Sequence, residues 1–240
     1  MFKVAYCAGH FLGTKGKRVP AKLDPGETRE WVLNDRVARY FNERMLQYED
    51  VETMRTDDST GKNEIEIKDR TAAANKWGAD IYLDIHHNAG INLGTGGGVV
   101  AYSYPGSKTG KAYRDAVYAA VIEAGKLKGN RSNPKVEKAY KSLKLAKAPA
   151  ILIEYGFMDS KSDYPVISTE EYAKAVGYAT ANAIAAVEGL KERPVEQTTK
   201  TLYRVQVGCY SKRESAEKMM QGLKNDGYDA IIKEEIVGGN

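Results

Sequence analysis

Two short apolar runs, DIYLDIH (80–86) and PAILIEYG (149–156), set the tightest limit on what this chain can fold into. Each is too short for a stable helix and lacks the in-and-out alternation of a strand with one wet face. Such runs fit strands of a sheet that is covered on both sides. FKVAYCA (2–8) is a third run of this kind, and DVETMRT (50–56) and GGGVVAYSY (96–104) read as further strands. Between them the period changes. Glu30, Leu33, Asn34, Val37, Phe41 and Met45 fall at three- and four-residue spacings, one face of a helix. EIEIKDRTAAANKWG (64–78) is helical and closes on Gly78; residues 108–126 and TEEYAKAVGYATANAIAAVEGL (169–190) are helical as well. Strands alternating with helices predict a three-layer α/β domain over residues 1–188. Its mixed, mostly parallel twisted sheet is covered by helices.

The character changes after Glu188. Residues 189–200, including KERPVEQTTK with its Pro194, are polar and aperiodic, and read as a linker. In LYRVQVGCY (202–210) Tyr203, Val205, Val207 and Cys209 alternate onto one face. KRESAEKMMQGLKNDG (212–227) is an amphipathic helix with a stripe of Ala216, Met219, Met220 and Leu223, and YDAIIKEEIV (228–237) reads as a strand. The expectation for 201–240 is therefore a small β-α-β unit, at the lower size limit for a core of its own.

Composition excludes several classes of function. The net charge of +4 over 240 residues is mild, and no Lys/Arg cluster interleaves with aromatics as in a single-strand binder, so nucleic acid is not an expected partner. No stretch of about 18 apolar residues occurs, which argues against a membrane span. MFKVAYCAGH enters a strand directly, without a basic region followed by an apolar one. The expectation is a protein made in the cytoplasm without a signal peptide. Cys7 and Cys209 stand far apart with no CxxC, so isolated thiols are expected rather than a disulfide.

The chemistry gathers at strand ends, where α/β sheets place their ligand-binding groups. Two of the three histidines, His86 and His87, sit side by side after YLDI, and the third, His10, follows YCAG. Glu154 lies inside AILIEYG, where an ionised carboxylate needs a cation or a hydrogen-bond partner. Glu30 stands near the start of the first helix, with Glu27 a rival at similar distance. Two imidazoles and a carboxylate form the ligand set of a catalytic zinc site with an open position for water, and a further carboxylate can act as general base. Taken singly, His10 reads as a hydrogen-bonded structural residue and Glu30 as a solvated helix residue. The scattered spacing makes a metal site plausible without establishing it.

In combination these residues resemble a known family, the zinc-dependent N-acetylmuramoyl-L-alanine amidases of the Amidase_3 type. That family's pattern opens with a strand ending in Gly-His. It continues with a Glu followed four residues later by Asn, then an Arg ahead of AD-(apolar)-SIHAN, and finally PA-(apolar)-E-x-GF. Here these read as Gly9-His10, Glu30 with Asn34, Arg70, ADIYLDIHHNA and PAILIEYGFMDS, in order across nearly all of residues 1–188. The resemblance implies Zn2+ as cofactor, with His10, Glu30 and His86 as its ligands; Asn34 selects Glu30 over Glu27. It implies Glu154 as the catalytic glutamate, and His87 as a non-ligand that faces the other side or contacts substrate, with Asn88 beside it as a substrate-binding candidate. Two departures stand out: Asp84 replaces the usual Ser, and the loop from Phe11 to Pro25 is Lys-rich in place of GGxDPG.

The tail resembles a second family, the SPOR peptidoglycan-binding domains, through YRVQVGCYSKRESAEKMMQGLKNDGYDAIIK. Only the first half of that β-α-β repeat is present. It implies wall targeting or dimerisation, with a homodimer through the tail as one way to rebuild a groove; a packing appendage is equally open. Together the resemblances imply a peptidoglycan hydrolase cutting the amide between N-acetylmuramic acid and L-alanine. Without a leader it fits an endolysin of phage or prophage origin released by a holin, with a sporulation enzyme freed by mother-cell lysis as the second possibility. A zinc peptidase acting on stem peptides and a non-catalytic wall-binding protein are the rival readings.

Overall fold

A computed structural model of the chain describes residues 1–194 and 205–235. The chain divides into two compact units, Met1–Pro194 and Val195–Asn240.

The first unit begins with β1 (Phe2–Ala8), α1 (Glu30–Met45), β2 (Val51–Arg55), α2 (Ile67–Trp77) and β3 (Ile81–Asn88). It continues with β4 (Val100–Ser103), α3 (Lys108–Gly125), β5 (Lys135–Glu137), α4 (Lys141–Leu145), β6 (Ala150–Phe157), α5 (Tyr164–Ile167) and α6 (Glu170–Glu188). The six strands form one sheet in the order β2-β1-β3-β6-β4-β5. All pairings are parallel except β4 against β6. The mixed, mostly parallel sheet expected from the apolar runs is the one observed.

Alternation along the strands builds two cores. Val4, Leu83, Ile85, Ile151 and Ile153 point to one face, where they meet Val37 and Phe41 of α1, Val117 of α3 and Val176 of α6. Burying each such side chain stabilises the fold by about 1.5–3 kcal/mol. Ala5, Cys7, Tyr82 and Leu152 point to the other face, under Ala74 of α2 and Leu143 of α4. On the first face α1 and α6 approach closely at Gly177, where a Cβ would lie 2.9 Å from the Phe41 nitrogen and the Val37 oxygen. The helices start where a side chain can accept the first free amides: Ser107 accepts from Gly110 and Thr169 from Tyr172. Gly78 and Gly189, at φ 76° and 65°, end α2 and α6 in the left-handed conformation.

Two expectations are modified. The segment after α6 is tied down to Pro194. The Glu49 amide donates to the Lys191 oxygen, the Arg193 amide donates to the Gln47 oxygen, and the Arg193 side chain donates to the Tyr48 oxygen. Its polar residues thus find partners at the turn between α1 and β2, which composition does not reveal. In the second unit the expected helix forms as α7 (Arg213–Asn225). Its flanks at 205–212 and 226–235 carry no strand among the described residues. The flanking apolar side chains Val205 and Ile231 are 85% and 84% exposed. Strands need neighbours to satisfy their backbone, and half of a repeat supplies few. Residues 201–204 and 236–240 of that expected unit lie outside the described residues.

Candidate metal centre and active site

The site is built at the carboxyl ends of β1, β3 and β6. β1 leads through Gly9 into His10, which turns the chain at φ 67°, in the left-handed region that L-residues seldom occupy. Backbone partners hold this turn. The Arg70 guanidinium of α2 donates to the carbonyls of Ala8 at 3.0 Å and His10 at 2.8 Å, and Asn34 of α1 donates to the Gly9 carbonyl at 3.0 Å. The Gly9 amide itself donates to the Ile85 oxygen of β3 at 2.8 Å. Gly9 can only be glycine here, because a Cβ would fall inside the His86 ring.

His86 and His87 part at this point. His86 follows Tyr82 and Asp84 onto one face, whereas His87 follows Leu83 and Ile85 onto the other. The ladder between β3 and β6 shifts register between His86 and Asn88. Such an irregularity re-aims side chains at a strand end. The two non-equivalent rings then meet different partners. His86 stacks edge-on against His10 with ring centroids 4.9 Å apart. It donates Nδ1–H to Glu30 Oε1 at 3.0 Å and Nε2–H to Asp84 Oδ1 at 3.1 Å. His87 is buried at 2% exposure and donates Nδ1–H to the Asn34 carboxamide oxygen at 2.8 Å. Of the two readings open for His87, the structure places its ring on the other side of the strand, buried beside Asn34 of α1. Asn88 is half-buried at the end of β3, its side-chain oxygen accepting from the Ala89 amide at 2.8 Å.

Glu30 is fully buried at the first turn of α1. Its Oε1 accepts from His86 and from the His87 amide, while Oε2 has no hydrogen-bond partner. That second oxygen lies 3.4 Å from His10 Nε2 and 3.5 Å from Lys17 Nζ. One ligand atom from each of His10, Glu30 and His86 lies within 4.8 Å of the other two. Glu27, the rival carboxylate, pairs instead with Arg18 near the surface. Glu154 stands on β6 directly across from His86 in the ladder, and its Oε2 is also buried without a partner.

The electrostatics follow from these neighbours. Burial raises the Glu30 carboxyl, but the bond from His86 and the nearby imidazoles and Lys17 outweigh it and hold the group at about 2. Burial likewise opposes charge on His86, yet the Asp84 and Glu30 carboxylates raise it well above the usual histidine range. Burial lowers His10 to about 4 and His87 to about 3. Glu154, with burial dominant and only partial compensation from His86, is raised to about 7. Two orphaned carboxylate oxygens and a set of imidazole and carboxylate donors fit a divalent cation of the zinc type.

Residue types at strand ends pointed to His10, His86 and Glu154, and the family resemblance to Glu30 at the start of α1, but neither pointed to the groups that hold them. Asn34 and Arg70 entered only as parts of a pattern, although their bonds shape the His10 turn. Asp57, which accepts from the Ala8 amide at 3.0 Å, carried no signal at all. Asp84 entered only as a departure from the pattern, although strand alternation puts it on one face with His86.

Comparison with known proteins shows the family. The family model described as N-acetylmuramoyl-L-alanine amidase matches residues 4–186, and a SPOR domain model matches residues 171–234. The chain belongs to the N-acetylmuramoyl-L-alanine amidase family. It is 30% identical over 181 residues to the sporulation-specific N-acetylmuramoyl-L-alanine amidase of Bacillus subtilis (strain 168), covering 72% of this chain and 64% of the relative. It is 28% identical over 194 residues to the N-acetylmuramoyl-L-alanine amidase CwlM of Bacillus licheniformis, covering 80% of this chain and 70% of that one. The chain thus spans about two thirds of the length of these relatives. In fold it is similar to the crystal structure of N-acetylmuramoyl-L-alanine amidase from Clostridium difficile 630. The TM-score is 0.70 at 24% identity, over 78% of this chain and 97% of that one.

Proposed function

We propose that this protein hydrolyses the amide between the lactyl group of N-acetylmuramic acid and L-alanine in peptidoglycan. The observation that carries the reading is the meeting of His10, Glu30 and His86 on one spot, with Glu30 Oε2 buried and without a hydrogen bond. His10, Glu30 and His86 would hold zinc there. A zinc ion in such a site polarises the scissile carbonyl and brings a water near neutral pKa, about 7.

The chain's own groups supply the remainder. Glu30 and Asp84 fix the plane of the His86 ring between them, and Arg70 and Asn34 fix the turn that aims His10. Glu154, held near 7 by burial, accepts a proton at Oε2 from the attacking water and returns it to the leaving amine of L-alanine. A carboxyl poised near neutrality suits both halves of that transfer.

The SPOR match runs from residue 171, within α6, to residue 234, and the second unit that carries its later part is assigned here to wall attachment, by itself or with a second copy completing the groove. No described helix is long and apolar enough to cross a membrane. An endolysin role, with release by a holin or by cell lysis, completes the reading.

The test is digestion of purified peptidoglycan by zinc-loaded protein, with Glu154→Gln alongside and products read by mass. Stem peptides with a free L-alanine amino terminus, reduced ~10²–10⁴-fold in rate by Glu154→Gln with zinc retained, are the expected outcome. Shortened stem peptides still joined to muramic acid would make it a peptidase. Intact wall with zinc bound would make it a binding protein.

A further inference from the structure

Behind the His86 ring, Asp84 is itself held by two buried groups, Cys7 and Tyr82, that the reaction as described does not use. Asp84 stands two residues before His86 on the same face of β3 and is 5% exposed. Its Oδ1 accepts Nε2–H from His86 at 3.1 Å and the Cys7 Sγ–H at 3.0 Å. The Cys7 sulfur lies 3.2 Å from the Tyr82 hydroxyl, and Cys7 and Tyr82 are each 1% exposed. Because the thiol spends its only hydrogen on Asp84, the Tyr82 hydroxyl donates to the sulfur. Every proton in the row therefore points toward the carboxylate, which can only accept.

This direction has a consequence for the imidazole. A neutral histidine carries its proton on one nitrogen, and the partner of that nitrogen decides which. Asp84 keeps a proton on Nε2, so that Nδ1, which faces Glu30 Oε1 at 3.0 Å, is the nitrogen that gives up its proton when a metal binds. The Ser that stands here in the amidase pattern could donate or accept, and would leave the choice open.

Resting on the zinc reading above, we propose that Asp84, oriented by Cys7 and Tyr82, is a positioning residue. It commits Nδ1 of His86 to the metal and holds the ring in ligating orientation. Carboxylate partners of ligating histidines typically change metal affinity by ~10–100-fold when removed.

The experiment measures zinc dissociation constants by chelator competition on the full chain, for the wild type, Asp84→Ala and Asp84→Asn. Nitrogen NMR of the zinc-loaded wild type reports which ring nitrogen of His86 carries the proton. The expected result is a ~10–100-fold weaker constant for Asp84→Ala. Asp84→Asn, which keeps an accepting oxygen, should fall between, and His86 should be protonated at Nε2. A proton on Nδ1 overturns the proposal without any substitution, should Asp84→Ala fail to fold. Affinity of folded Asp84→Ala within about threefold of wild type overturns it as well, being under half of one tenfold step. A wild type that takes up no zinc overturns the metal reading and this inference with it; the other two failures leave that reading standing.

Discussion

The His87 ring donates to the Asn34 carboxamide at 2.8 Å, on the face of β3 opposite to the ring of its neighbour His86. The same carboxamide donates to the Gly9 carbonyl at 3.0 Å. One side chain, a helical turn beyond Glu30, thus joins the ends of the two strands that carry the metal-site histidines. The Glu-then-Asn spacing on α1 is explained by this double contact.

Gly9→Ala tests the tightness of that junction. The added Cβ overlaps the His86 ring, and the surrounding carbonyls are held by Arg70 and Asn34. The ring is therefore displaced. Overpacking at such a point costs ~1–3 kcal/mol of stability. Zinc affinity should fall at least tenfold, about 1.4 kcal/mol, measured by chelator competition beside a melting curve. Wild-type affinity in this variant would show that the ring has room to move.

Metal removal should change the pH dependence of stability in a defined direction. Burial disfavours the His86 imidazolium, but Asp84 and Glu30 raise its pKa well above that of the unfolded chain. In the metal-free protein this contribution is complete below the unfolded value of about 6.5 and is lost as pH rises through the folded value. Zinc requires the Nδ1 lone pair and so displaces that proton. The gain in Tm on adding zinc should accordingly grow between about pH 6 and 8. Titration calorimetry in buffers of different ionisation enthalpy should register proton release, and its absence would contradict the protonation state inferred for His86.

Lys17 offers a smaller, salt-sensitive effect. Its ammonium lies 3.5 Å from Glu30 Oε2, 44% exposed, beside the place assigned to a divalent cation. Lys17→Met should tighten zinc binding by roughly 1.5- to 5-fold, as expected for removing a solvent-screened charge worth about 0.2–1 kcal/mol. The difference should shrink as ionic strength rises. Weaker zinc binding in Lys17→Met would mean that the lysine supports the site instead.

Gly177→Ala serves as a contrast remote from the metal ligands. A Cβ there meets backbone atoms of α1 at 2.9 Å, so the two helices must separate. Stability should fall by ~1–3 kcal/mol in denaturant unfolding. Zinc affinity of the folded variant should stay within about twofold of wild type, since distant sites act nearly independently.

The sheet was legible because strands covered on both faces must be apolar throughout, as in PAILIEYG, and because helix faces repeat at fixed spacing. β5, α4 and α5 escaped notice; at three to five residues each they carry no measurable period. The ligand-type residues were visible as unusual chemistry at strand ends. That His87 faces away from His86 was one of its two readings, but its bond to Asn34, fifty-three positions earlier, carries no signal in the sequence. The polar run after α6 looked like any linker, because its partners lie near residue 48.

Those partners set where the chain may be cut. Tyr48 pairs with Glu192, Arg44 forms an ion pair with Glu192, and Arg193 reaches the Tyr48 carbonyl. A fragment ending at Glu188 would leave the Gln47 carbonyl and the Glu49 amide, in the turn that feeds β2, without their backbone partners. A fragment ending at Pro194 keeps that seam shut, and is the piece on which to study the first unit alone.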